Sequence, residues 1–177
     1  METPPEQPTF SPTAAQRAAA ARVMARCDEL AAISSIDDGV YRSYLTPEHA
    51  RCNARVAGWL EEAGLAAWQD AAGNLCGRLE GGDGPQRTLL LGSHLDTVRK
   101  AGKYDGILGV LVALEVMAGF RAAGEALPFH VDLLGFGDEE GARFGTTLLG
   151  SRAVAGTWDP AWFDLRDRDG TTLGEAL

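Results

Sequence analysis

The chain has 177 residues, a formal net charge of −9, 45% hydrophobic and 23% charged residues. That length and balance fit one domain with a substantial buried core. The acidic excess repels phosphate backbones and anionic surfaces, so neither nucleic acid nor a membrane is expected as a partner.

Residues 1–12 hold four of the eight prolines and are expected to form a flexible tail, with residues 13–177 forming the folded part. No basic stretch followed by an apolar run opens the chain, so no signal peptide is expected. Thr13 can cap a helix through AAQRAAAARVMARCDELAAI, with Val23, Cys27, Leu30 and Ala31 on one stripe. SSIDDGVYRSYLT reads as a loop. Thr46 then caps PEHARCNARVAGWLEEAG, which has Pro47 at its first position, Glu48 in its first turn and Gly64 at its exit. Val56, Trp59 and Leu60 supply its buried face, and His49 is expected on the outer face.

After Gly64 the period changes. LAAWQD and LCGRLE flank AAGN, the pattern of two short strands around a turn. GGDGPQ is a hairpin-like loop. RTLLLGSH is a continuous apolar run, expected as a strand covered on both faces. Residues 107–123 show a helical repeat, with apolar side chains at 107, 110, 111, 114 and 117 and Gly124 as a stop. The apolar window from Ile107 to Phe120 contains Glu115 and is too short to span a bilayer. LPFHVDLLGFGDEE is a strand running into a loop, in which His130 is expected to be a packed or edge residue. LLGSRAVAG reads as a short helix, DPAWFDL as a turn and TTLGEAL as the start of a helix.

This order implies an α/β fold with a central mixed sheet flanked by helices. In such sheets ligand sites gather at the carboxyl ends of strands, and two core strands end here in GSHLD and GDEE. His94 suits Zn2+ or Mn2+, while Asp105 and the Glu139–Glu140 pair are hard oxygen donors. Asp96, two residues beyond His94, is placed to orient the imidazole. Of two adjacent glutamates, one can bind a metal and the other accept a proton from water. A solvated acidic surface is the competing reading. Arg143 and Arg152 are open to anion binding or structural ion pairing. Cys27, Cys52 and Cys76 lack CxxC spacing and read as reduced thiols of a cytoplasmic protein.

LLLGSHLDTVRKAGKYDGILGVLVALEV and GFGDEEGARFGTTLLGSRAVAGTWDPAW resemble the dinuclear-metal amidohydrolases related to exopeptidases. That group includes allantoate amidohydrolase, N-carbamoyl-L-amino-acid hydrolase and β-ureidopropionase. LTPEHARCNARVAGWLEEAGL and DAAGNLCGR are also similar to the group's N-terminal region. KAGKYDGILG and GDEEGARFGTTLLGS are most similar to allantoate amidohydrolases.

The resemblance implies that His94 is a ligand of one metal ion, Asp105 the bridging carboxylate and Glu140 a ligand of a second ion. It implies that Glu139 is the general base and Asp96 the residue that orients His94. The implied activity is hydrolysis of a ureido C–N bond with ammonia release, on a small ureido or carbamoyl substrate. Two divalent ions, Zn or Mn, complete the family site. Family members are more than twice as long. They insert a dimerisation domain that makes them homodimers, and they supply two further ligand histidines, whereas no histidine follows His130 here. The expectation is therefore an N-terminal portion of such an enzyme, with partial metal loading. An inactive remnant serving only binding or assembly is the alternative.

Overall fold

The computed structural model describes residues 11–83 and 87–177. The tail expected over 1–12 falls almost wholly outside them, as does the second half of the GGDGPQ loop. Helix α1 (Ala14–Ala31) opens with a reciprocal cap, in which the Thr13 hydroxyl accepts from Gln16 N–H and the Gln16 side chain accepts from Thr13 N–H. It buries Val23, Cys27 and Leu30 of the expected stripe, with Ala31 half-buried at its end. Helix α2 (Pro47–Glu62) starts at Thr46 and buries His49, Cys52, Asn53, Val56, Trp59 and Leu60. Those spacings of three and four define one face, and His49 belongs to it. The expectation of an outward His49 is thus corrected: its ring meets Tyr44 edge-on at 5.7 Å between centroids.

Strands β1 (Ala66–Gln69), β2 (Leu75–Leu79), β3 (Thr88–His94) and β4 (His130–Phe136) form one sheet in the order β1-β2-β4-β3. The β1–β2 and β2–β4 pairs are antiparallel and the β3–β4 pair is parallel, so the sheet is mixed as expected. Helix α3 (Ile107–Ala123) makes the crossover that a parallel pair requires. It buries Ile107, Val110, Leu111, Leu114 and Met117. Each such side chain contributes about 1.5–3 kcal/mol when fully removed from water.

One strand departs from its expected environment. β4 is buried along its centre, but Leu89 and Leu90 of β3 are 47% and 54% exposed. The apolar run of β3 was read as covered on both faces, yet β3 ends the sheet. An apolar run marks affinity for an interior without fixing which neighbours supply it.

Helix α4 (Leu149–Val154), a 3-10 turn (Pro160–Asp164) and helix α5 (Leu173–Ala176) close the described chain. They bring Leu149 and Leu173 against Tyr44 and Phe144 in a second, smaller core beside the main one. No helix of the described residues is long and apolar enough to cross a membrane.

Candidate metal centre

β3 and β4 run parallel, with His94 in register with Phe136, so both strands deliver their carboxyl-terminal loops to one end of the sheet. His94 is buried there. Its Nδ1 lies 2.9 Å from the main-chain carbonyl of Asp96, which fixes the ring with Nδ1–H donating and Nε2 facing outward. The Asp96 carboxylate stands 3.9 Å from the same nitrogen. It accepts instead from the Glu139 N–H at 3.4 Å, tying the loop after β3 to the loop after β4.

Nε2 faces two carboxylates, Asp105 and Glu139, each at 3.8 Å. His94, Glu139 and Glu140 present ligand atoms within 4.8 Å of one another. Asp105 reaches them from the turn before α3. The next residue, Gly106, has φ +66°, and a Cβ built there would stand 2.5–2.6 Å from three atoms of the His94 ring. Only a glycine lets this turn pass the imidazole face at such a distance. The Asp105 and Glu139 side chains are 48% and 41% exposed, so the centre opens to solvent on their side.

The electrostatics favour a cation. Among the described residues, no lysine or arginine pairs with Asp96, Asp105, Glu139 or Glu140. Burial, then Asp105 and Glu139, push the Glu140 carboxyl above its ordinary value, against the pull of His94. Burial pushes Asp96 up to about 6, with His94 and the Glu139 N–H acting the other way. An imidazole with several oxygen donors fits Zn2+ or Mn2+, whose charge relieves the mutual repulsion of the acids.

Three supporting residues escaped the sequence reading. Asp138 is fully buried at φ +53°, and neither carboxylate oxygen meets a protein hydrogen-bond donor. Burial, then Asp96, push it up to about 7, against the pull of the nearby Arg143. A third acid preceding two glutamates was the available signal. Asn74 is fully buried: its Oδ1 accepts from Gly137 N–H at 2.9 Å, and its Nδ2 donates to Asp70 at 2.8 Å and to the Gly150 carbonyl at 3.1 Å. Arg42, also fully buried, donates to the carbonyls of Leu95, Leu30 and Ile33 at 2.8–2.9 Å. No pattern in the sequence marks either as internal.

Arg143 pairs with Asp167, and Arg152 lies over the Trp162 ring, 5.3 Å from its centroid. His130 opens the interior strand β4 and is half-buried, the packed setting rather than the edge one, with Nδ1 3.1 Å from Gly81 N and 2.6 Å from a Glu80 carboxylate oxygen. The three cysteines are free and buried.

A histidine and clustered carboxylates at the ends of adjacent parallel strands are the arrangement of a metal-dependent hydrolase. The model of peptidase family M28 matches residues 74–165, and the chain belongs to that family. It is 38% identical over 156 residues to the allantoate deiminase of Arabidopsis thaliana, covering 87% of this chain and 30% of the relative. It is 44% identical over 139 residues to the N-carbamoyl-L-amino acid amidohydrolase of Geobacillus stearothermophilus, covering 78% and 34%. Among solved structures, a hydantoinase/carbamoylase family amidase from Burkholderia ambifaria superposes with a TM-score of 0.83 at 36% identity, over 89% of this chain and 39% of that one. AtUAH in complex with glyoxylate matches with the same TM-score at 30% identity, over 89% and 38%. The fold is thus the α/β catalytic fold of these amidases, and the chain spans about a third of the length of the relatives it matches.

Proposed function

We propose that this chain carries a metal-binding portion of an amidohydrolase that cleaves a ureido C–N bond of allantoate and releases ammonia. The observation that carries the reading is the convergence of His94, Asp105, Glu139 and Glu140 with no balancing cationic side chain among the described residues. His94, Asp105 and Glu140 would hold Zn2+ or Mn2+, and the ions would supply Lewis acidity toward water and the substrate carbonyl. Glu139, on the open side, takes a proton from water and hands it to the departing nitrogen. Asp96 holds the imidazole through its carbonyl and the Glu139 backbone through its carboxylate.

A second reading, hydrolysis of N-carbamoyl-L-amino acids, is favoured by the 44% identity to the Geobacillus amidohydrolase. The buried free cysteines support a reducing, cytoplasmic setting. The test joins residues 1–177 to the remaining portion of the Arabidopsis relative and measures ammonia from both substrates with added Mn2+. Release from allantoate that E139Q abolishes supports the first reading. Release from N-carbamoyl amino acids alone supports the second, and release from neither sets both aside.

A further inference from the structure

Arg143 follows Glu140 by three residues, on the loop that carries both glutamates. Its side chain is only 17% exposed. Nη1 donates to the carbonyls of Tyr44 and Leu45 at 2.9 and 2.8 Å. Nε and Nη2 converge on one oxygen of Asp167 at 3.0 and 2.9 Å. The other Asp167 oxygen accepts from Asp169 and Thr171 N–H at 3.0 and 2.9 Å, so this carboxylate is held from both sides. Each Arg143 nitrogen already donates, which argues against the anion-binding role.

What Arg143 grips is itself fixed to the glutamate loop. The Tyr44 ring packs so closely on Gly137 that a Cβ there would stand 2.3 Å from the ring. Phe144, next to Arg143, meets Tyr44 edge-on at 6.4 Å. Gly137, the Tyr44 ring and carbonyl, the Arg143 guanidinium and the backbone back through Glu140 and Glu139 thus form a closed circuit. A planar fork can hold two carbonyls and a carboxylate at once; an ammonium cannot match that geometry.

We propose that Arg143 is a positioning residue for Glu139 and Glu140, with Asp167 acting through it, so that the segment after α4 helps set the geometry of the metal centre. The proposal rests on the reading of His94, Asp105 and Glu140 as ligands. It reaches beyond that reading by assigning a part in the centre to residue 167, which belongs to neither strand end.

The test titrates Zn2+ alone onto the 177-residue chain by calorimetry, with folding followed by circular dichroism and urea denaturation. R143A, R143K and D167N are compared with R78A, which breaks another two-pronged pair, Arg78–Asp132 at 2.6 and 2.7 Å on the sheet. R143A is expected to weaken Zn2+ binding about tenfold, the scale of supporting-residue losses at metal centres. R143K should fail to restore it, and D167N should weaken it in the same direction. R78A should lose stability yet bind Zn2+ as the wild type does. If R143A does not fold, R143K and D167N carry the comparison. Wild-type affinity in the Arg143 and Asp167 variants, or an equal loss in R78A, overturns the proposal and leaves the metal centre standing. Absence of Zn2+ binding by the wild type, or binding that survives H94A, overturns both.

Discussion

The imidazole of His94 is held by the main chain of Asp96, with Nδ1 2.9 Å from the carbonyl and 3.9 Å from the carboxylate. A carbonyl can only accept, so it fixes one tautomer whatever side chain stands at 96. Asp96→Asn should therefore keep the Nδ1–H form of His94. Nitrogen-15 NMR of the imidazole checks this, and a switch to the Nε2–H form would assign the task to the carboxylate.

Glu139 and Glu140 both reach the neighbourhood of the imidazole but are expected to separate by role. Glu140→Gln should lower Zn2+ affinity at least tenfold, while Glu139→Gln should retain Zn2+ and lose turnover in the joined enzyme. Calorimetry beside the ammonia assay distinguishes them. Equal loss of metal in both variants would end the division. The wild-type chain should take up one ion that dialysis removes.

Gly106→Ala joins two costs, a left-handed backbone and a methyl group pressed into the His94 ring. The variant should lose about 2 kcal/mol or more of stability and bind Zn2+ more weakly. Urea denaturation with and without Zn2+ reads both effects.

His49 supplies a pH dependence of its own. Burial, then Arg42, lower it to about 4. A histidine depressed in the folded state contributes stability above its unfolded value of about 6.5, lost as pH falls toward 4 at about 1.4 kcal/mol per unit. Asp96 and Asp138, raised by burial, act with the opposite sign over the same range. The informative quantity is the stability difference between wild type and His49→Gln. It should be constant above pH 7 and move against the wild type below 6.5. A difference independent of pH would place His49 outside the titrating set.

The exposed leucines of β3 should drive self-association, because an uncovered apolar edge with free ladder groups pairs with other strands. Leu90→Lys should reduce oligomer formation at high protein concentration, as read by sedimentation, and leave the melting temperature nearly unchanged. Oligomers of wild-type size in the variant would move the contact elsewhere.

The elements were legible where local chemistry decides them. Thr13, Thr46 and Pro47 announce their helices, and the apolar repeat of α3 maps onto its buried face. The ends of β3 and β4 were legible as the site because polar residues interrupt apolar runs there. His49 was misread because chemical type outweighed helical phase: position 49 lies seven before Val56, on the buried face. Arg42 and Asn74 were not legible at all. Each is internal only because backbone carbonyls or amides from distant segments converge on it, and no local pattern encodes that convergence. The exposure of β3 depends on which strands lie beside it, a property of topology that a hydrophobic run does not carry.

The Asn74 amide joins the turn after β1, the exit of β4 and the start of α4 through one acceptor and one donor. Its two ends are not interchangeable, since the nitrogen faces the Asp70 carboxylate and the oxygen faces the Gly137 N–H. Replacing the amide nitrogen by oxygen, as deamidation does, would keep the shape and set two like charges against each other in the interior. Chemical ageing at this one atom would loosen Gly137 and Gly150 together, and with them the base of the glutamate loop. The lifetime of the folded site is in that sense tied to the hydrolytic stability of a single side-chain amide.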